Sequence, residues 1–303
     1  MDPQRLPVLE IGGTHVTAAV VDVGGWDVEA GTVRRELDAS GSADEIVATM
    51  TEAAASVRLV GASLWGVAIP GPFDYARGIA EFHGVGKLEA LRRVDLGDLL
   101  RRALTGGAGR IAFVNDAEAF AVGEWTAGAA SGHDRAIGVT LGTGVGSAFL
   151  VDGVAQRSGP GVPPDGRLDL LEIDGRPLED TISRRAIRSR YSSQTGQWGL
   201  DQLDVREIVS LARDGDADAT AVVHDAISAL GRTLAPRAVE FGATVVVAGG
   251  SIALAWDVIE DHLRAGMSDV SPGWADHLLL VRAKRLTEAA LVGAARHALR
   301  TRD

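Results

Sequence analysis

Residues 8 to 22 read VLEIGGTHVTAAVVD, with an acid, two glycines and a threonine set between apolar runs. Val8 to Ile11 has the composition of a buried strand, and Val16 to Val21 that of a second. Gly12, Gly13 and Thr14 between them read as a turn that tolerates positive φ and lets a ligand approach the backbone. Glycine-rich hairpins also arise for structural reasons alone, so the rest of the chain has to decide.

A second copy lies half a chain away. IGGTHVTAAVVD (11–22) matches LGTGVGSAFLVD (141–152) at an offset of 130 residues. Both run apolar, Gly, a Gly/Thr pair, small residues, an apolar strand and Val-Asp. Two such units suggest a duplicated domain, with a chance likeness of Gly-rich hairpins as the alternative. The stretch Ala136 to Val151 carries no charge over sixteen residues. It is short for a membrane span and holds four glycines, so a buried hairpin is the better reading.

Around these hairpins, strands alternate with helices. Ser42 and Glu45 form a capping box ahead of a helix, and LWGVAI (64–69) is a short strand ended by PGP. IAFVN (111–115) is another strand, followed by helical spacing. Thr181 to Arg190, Val205 to Arg213 and Ala217 to Glu240 read as helices. ATVVVAGG is a strand before a helix from Ile252, and HLLLVRA leads into a last helix, Glu288 to Leu299. The pattern predicts an α/β protein with mixed sheets. The loosest segment, Arg157 to Pro177, is rich in Pro and Gly and reads as a functional loop.

Composition excludes several function classes. The chain has 303 residues, 46% hydrophobic and 23% charged, and a net charge of -11. That charge argues against a nucleic-acid partner, because phosphate contacts need clustered Lys and Arg. Arg92-Arg93 and Arg101-Arg102 read as solvated helix faces. With no cysteine there are no disulfides and no thiolate metal sites. The N-terminal residues lack a signal-peptide profile, and the expectation is a cytoplasmic protein with no membrane contact.

Two nucleotide fingerprints fail on inspection. GVGKL (84–88) imitates the end of a P-loop, but Glu81 stands where the first Gly belongs and Leu88 where Ser or Thr is needed. GTGVGS (142–147) has Ser147 in place of the last Gly of a dinucleotide fingerprint. What remains is three Gly-rich turns, IGGT, LGTGVGS and VAGGS, each directly after an apolar strand. Backbone N–H groups in such turns form anion nests, and at VAGGSIA a helix N-terminus would add its dipole. Asp116, after a buried strand and before a helix, is the candidate base at the C-terminal edge of a sheet; its other reading is an N-cap. Asn115 beside it suits either a polyol or a turn.

These segments carry a family resemblance. LEIGGTHVTAAVVD, GVAIPGPFDYARG, VNDAEAFAVGEWTAGAA, IGVTLGTGVGSAFLVDG and VVVAGGSIA resemble, in order, the motifs of the ROK family of sugar kinases and sugar-responsive repressors. The resemblance covers nearly the whole chain. It implies the actin-like ATPase (ribonuclease H-like) fold, with two duplicated α/β domains closing a cleft over ATP and sugar. The domains would be residues 1–115 with 287–303, and residues 116–286, the second offering a dimerisation surface. Asp116 then matches the catalytic base, and Asn115 and Gly71 fall with the substrate. Gly12, Gly13 and Thr14 match the first phosphate loop, and Gly142, Thr143, Gly144 and Gly146 the second. Gly249 and Gly250 match the adenosine-side glycines. Glu10 stands where the family usually has an Asp near hydrated Mg2+.

The departures lie in one region. The family's sugar-binding Glu-x-x-His and its zinc knuckle of CxCGxxGCxE form give way here to DGRLDLLEIDGRPLEDTISRRAI. RPLEDTIS aligns with the segment ending in a sugar-binding Glu, which would be Glu179, with Pro177 in place of a cysteine. No His lies between His133 and His224, so the expectation is ATP and Mg2+ but no zinc. Glu179 would instead be held by Pro177 and by packing of Leu170, Leu171 and Ile173. Asp165 and Asp169 are candidates for substitute sugar contacts. AEFHGVGKLEAL replaces a further sugar loop, and His83 and Lys87 either reach the sugar or belong to a solvated loop. The implied activity is ATP-dependent phosphorylation of a hexose or hexosamine hydroxyl. The alternatives are a sugar-sensing protein without catalysis and a kinase of a non-sugar substrate. A repressor is disfavoured, because the ten residues before the first motif hold no DNA-binding module.

Overall fold

The computed structural model describes residues 4–57, 59, 61–173, 175–199 and 202–301. The chain forms two compact units, residues 1–128 with 287–303, and residues 129–286.

The first unit is built on a sheet of six strands. Its strands are β1 (Arg5–Ile11), β2 (His15–Asp22), β3 (Asp27–Val28), β4 (Val33–Glu36), β5 (Leu64–Ile69) and, after the short pair β6 (Phe73–Asp74) and β7 (Ile79–Ala80), β8 (Arg110–Asn115). The order is β3-β2-β1-β5-β8, with β4 also on β2. β1 and β2 form the antiparallel hairpin, while β1, β5 and β8 run parallel. Their C-terminal ends therefore share one edge, and Gly12, Gly71 and Asp116 all follow it.

Both faces of this sheet are buried. Leu9, Ile11, Val16 and Ala18 pack with helices α1 (Ala43–Ser56) and α2 (Leu96–Thr105). The opposite face, with Leu6, Val8, Ala19 and Val21, is covered by the chain's last helix, Ala289–Arg300. The capping box of Ser42 and Glu45 is present at the start of α1. Arg92 and Arg93 follow a single 3-10 turn, Glu89–Leu91, so only Arg101 and Arg102 lie on a helix.

Helix α3 (Asp116–Ala127) belongs to the first unit, which runs to residue 128, thirteen residues beyond the boundary read from the sequence. Glycines hold it there. A Cβ at Gly123 would collide with the Ala289 carbonyl, and one at Gly293 with the Ala119 carbonyl. Backbone meets backbone between the two helices, which fixes the position of the α3 N-terminus.

The second unit repeats the plan. Its strands are β9 (Arg135–Leu141), β10 (Val145–Val151), β11 (Val154–Gln156), the small pair β12 (Glu172–Ile173) and β13 (Arg176–Pro177), then β14 (Val245–Gly249) and β15 (Leu279–Arg282). The main sheet runs β11-β10-β9-β14-β15, a hairpin followed by two parallel strands, as in the first unit. The duplication read from the two hairpins thus extends to sheet topology. Its ungapped alignment does not hold throughout: Ile11 pairs with Val16, but Leu141 pairs with Val145, so the second turn is one residue shorter.

Helices of this unit are α4 (Glu179–Ile182), α5 (Arg184–Thr195), α6 (Val205–Arg213), α7 (Ala217–Phe241) and α8 (Trp256–Val270). The single helix read over Thr181–Arg190 is two, broken at Ser183, whose side chain caps α5 through Ala186 N–H. The helix read from Ile252 opens as a 3-10 turn, Ile252–Ala255, and its α-helical part starts at Trp256. α7 and α8 also approach through glycines, since a Cβ at Gly266 would collide with Ser228 and one at Gly231 with Leu263. The last helix, named α9 from here, returns to the first unit.

Candidate active site

In the first unit the site is built at the C-terminal edge of β1, β5 and β8. Asn115, not Asp116, is the N-cap of α3: its Oδ1 accepts from the N–H groups of Ala117 at 3.0 Å and Glu118 at 3.2 Å. Asp116 is the first helical residue, and its Oδ1 accepts from Ala117 N–H at 2.9 Å. The cap is thus supplied by the neighbour, and Asp116 is oriented by the helix it begins. Asn115 Nδ2 donates to the Tyr75 hydroxyl at 3.0 Å, which donates to the Ile69 carbonyl at 3.3 Å. A Cβ at Gly71 would lie 3.3 Å from that hydroxyl. Gly71, Tyr75 and Asn115 therefore converge; Tyr75 was not singled out from the sequence.

Glu10 lies one residue before the end of β1 and faces Asp116. Burial pushes its carboxyl up to about 7, the Asp116 charge pushes the same way, and Arg34 opposes both. Cross-strand pairing explains the place of Arg34: Glu10 pairs with Thr17 and Thr17 with Arg34, so the three share one face. Thr17 is 5% exposed, and its Oγ1 is buried without a hydrogen-bond partner. Two facing carboxylates and an orphaned hydroxyl fit a hydrated divalent cation, whose charge would relieve their repulsion. Among the described residues no group of three or more His, Asp or Glu could hold a metal on its own, so water must complete the shell of any ion there.

The turn after β1 closes through Gly12 N–H donating to the His15 carbonyl at 2.8 Å. Neither Gly12 nor Gly13 has a left-handed φ, and the same holds for Gly142, Gly144 and Gly146. The positive φ that these turns tolerate is not used at these glycines; what they leave free is the space of a side chain. A Cβ at Gly12 would meet the His15 ring at 2.9 Å, and one at Gly13 would touch Lys87 Cδ at 3.4 Å. His15 is held below its ordinary pKa by burial and by Arg34. Thr14, His15, Arg34, Glu36 and Asp38 line an open hollow of about 650 Å³ beside the turn.

In the second unit the turn after β9 lies next to the turn after β14. A Cβ at Gly250 would collide with the Leu141 carbonyl, and Gly250 has φ +84, so no other residue fits both demands. The Ser251 hydroxyl would lie 3.9 Å from a Cβ at Gly142. Gly249 ends β14, paired with Thr140, and Gly146 pairs with the same Thr140 from the other side. Thr143 stands at the centre of the β9–β10 turn. Asp204, Val205, Val209, Ser251, Ile252 and Ala255 line a cavity of about 180 Å³ beside these turns.

Glu179 sits in the first turn of α4 with its carboxylate against Gly144, in the space a Cβ would take. Its segment is anchored by burial and by backbone hydrogen bonds. Leu178 is fully buried and its N–H donates to the Leu171 carbonyl at 2.8 Å, while Arg184 N–H donates to the Gly142 carbonyl at 3.2 Å. β12 and β13 pair at Pro177, and Leu171 and Ile173 pack on the core. Leu170 does not, being 51% exposed. Asp169 is paired with Arg167, and Asp165 is exposed. His83 is exposed, whereas Lys87 is half-buried.

Comparison with known proteins follows the same lines. The model of the ROK family matches residues 8–301. The glucokinase of Thermotoga maritima is 27% identical over 97% of this chain and 97% of its own. The ROK hexokinase of Thermus thermophilus superposes with a TM-score of 0.76 at 26% identity, covering 97% of this chain and 98% of its own. A ROK glucokinase from Streptomyces griseus, solved with glucose and AMPPNP, gives 0.77 at 24% identity over 98% and 99%. The two sheets are those of the actin-like ATPase fold, and the chain belongs to the ROK family.

Proposed function

We propose that this protein transfers the γ-phosphoryl group of ATP to a hydroxyl of a sugar, a hexose or hexosamine. The observation that carries the reading is the facing pair Glu10 and Asp116 beside a side-chain-free turn at one sheet edge. Phosphoryl transfer asks for positioning and charge stabilisation more than for covalent chemistry. Asp116, fixed at the start of α3, accepts the proton of the attacking hydroxyl at a carboxylate oxygen. Asn115 and the Gly71 backbone orient the sugar, and Glu179 contacts it as well. The N–H groups of Gly12, Gly13 and Thr14, and those of Gly142, Thr143, Gly144 and Gly146, receive phosphate oxygens. Gly249 and Gly250 keep the turn after β14 clear for the adenosine. Glu10 would hold hydrated Mg2+, with Thr17 nearby; when bound, the ion supplies charge neutralisation on the phosphates. No zinc is needed, because the Glu179 segment is held by Leu178, Leu171 and the β12–β13 pair. The protein acts in the cytoplasm and as a homodimer, as the resemblance implies.

The test is ADP release with ATP and Mg2+ across a panel of hexoses, hexosamines and small hydroxy acids. Turnover stimulated by a sugar supports the reading. Turnover only with an acid, or sugar binding without turnover, replaces it with one of the two alternatives, a kinase of another substrate or a sugar sensor.

A further inference from the structure

The GVGKL segment is not a P-loop, yet its lysine lies at the phosphate turn. We propose that Lys87 contacts the phosphoryl groups received by the Gly12–Thr14 turn, as a cationic contact to the nucleotide and not to the sugar. The proposal rests on the kinase reading, since it takes that turn as the phosphate cradle.

The placement of Lys87 is built by its neighbours. Leu88 is fully buried, has φ 57 and donates its N–H to the Ala39 carbonyl at 2.8 Å. Leu91, three residues on, is fully buried as well. Gly86 N–H donates to Glu89 Oε1 at 2.9 Å, and Gly84 and Gly86 both have left-handed φ. Between these anchors the stem of Lys87 crosses Gly13, its Cδ 3.4 Å from where a Cβ would stand. The ammonium lies two bonds beyond that carbon. Among the described residues no hydrogen bond or ion pair engages it. A lysine on a merely solvated loop has no reason to lie half-buried across a glycine turn, whereas His83, four residues earlier, is exposed.

Charge balance favours the same role. Glu10 and Asp116 place two carboxylates beside the turn, and a triphosphate would add more negative charge. Backbone N–H groups supply only partial charges. Arg34 serves the Glu10 end of the row, and Lys87 is the cation on the Gly13 side. The role is local charge neutralisation of the kind lysines give phosphates as point charges.

Lys87→Met keeps the stem and removes the charge; Lys87→Arg restores a cation. Initial rates are measured with ATP and sugar varied in turn, and AMPPNP binding by calorimetry. Lys87→Met is expected to lower kcat/KM for ATP by about 10- to 100-fold, the range for one lost charged contact. AMPPNP affinity should fall with it, Lys87→Arg should recover part of the loss, and KM for sugar should stay within about twofold. A raised sugar KM with unchanged AMPPNP affinity would overturn the proposal in favour of the sugar side. No change in either would overturn it in favour of a solvated side chain. If the unaltered protein phosphorylates no sugar but its AMPPNP binding depends on Lys87, the kinase reading fails and the phosphate contact stands. If it binds no AMPPNP, both fall.

Discussion

Glu10 makes the stability of this protein depend on pH. Its carboxyl, ordinarily near 4.5, is pushed up to about 7 by burial and by Asp116. Between those values the folded protein holds a proton that the unfolded chain has released, so stability falls as pH rises through this window and levels off above it. Glu10→Gln cannot ionise. It should therefore be more stable than the unaltered protein at pH 8, by on the order of 1–3 kcal/mol and with a higher melting temperature, and show no such gain at pH 5. Melting curves of both proteins at the two pH values check this, and equal melting at pH 8 would contradict it. Gly13 gives the complementary case, a position open in the free protein. Its φ is not left-handed, and only the flexible Lys87 stem lies near a Cβ. Gly13→Val should leave the melting temperature nearly unchanged while weakening nucleotide binding. Unchanged AMPPNP affinity in calorimetry would count against a phosphate cradle at this turn.

At the level of elements, hairpins, caps and strand ends were legible in the sequence because their signals are local. The capping box of α1, the bounds of α6 and the strand before Asp116 need only neighbouring residues to be read. The helix break at Ser183 was missed because Ser is also tolerated inside a helix, and only its bond to Ala186 N–H shows it as a cap. Arg34 and Thr17 were invisible for a different reason: they join Glu10 through pairing across three strands, and no spacing along the chain records that. The α3 boundary was misplaced because Gly123 and Gly293, 170 positions apart, act only together. The Glu179 segment is held by packing and by backbone bonds. With Leu178 buried and Arg184 bonded to Gly142, Glu179 is held by the core and by the second turn. Elemental analysis of active protein should find less than stoichiometric zinc, and Glu179→Ala should raise KM for sugar far more than for ATP. Stoichiometric zinc, or activity lost to a zinc-selective chelator in excess Mg2+, would show this account of the segment to be wrong.

Across the whole molecule the same plan is used twice, a hairpin followed by two parallel strands, with a glycine-mediated helix pair in each unit. The net charge of -11 suits a small-molecule substrate better than a polyanionic partner. No helix among the described residues is long and apolar enough to cross a membrane. Apart from Glu10, the departures from the family pattern read in the sequence lie in the segments around Lys87 and Glu179. The central claim is that Asp116 accepts a proton from a sugar hydroxyl during transfer from ATP. It is tested most directly by mass-spectrometric measurement of sugar phosphate formed by the unaltered protein and by Asp116→Asn, at equal AMPPNP occupancy. The account predicts that the substitution leaves AMPPNP binding intact and slows product formation by roughly 100-fold or more, the scale of a lost general base. Product formed by Asp116→Asn at a near-normal rate would contradict it.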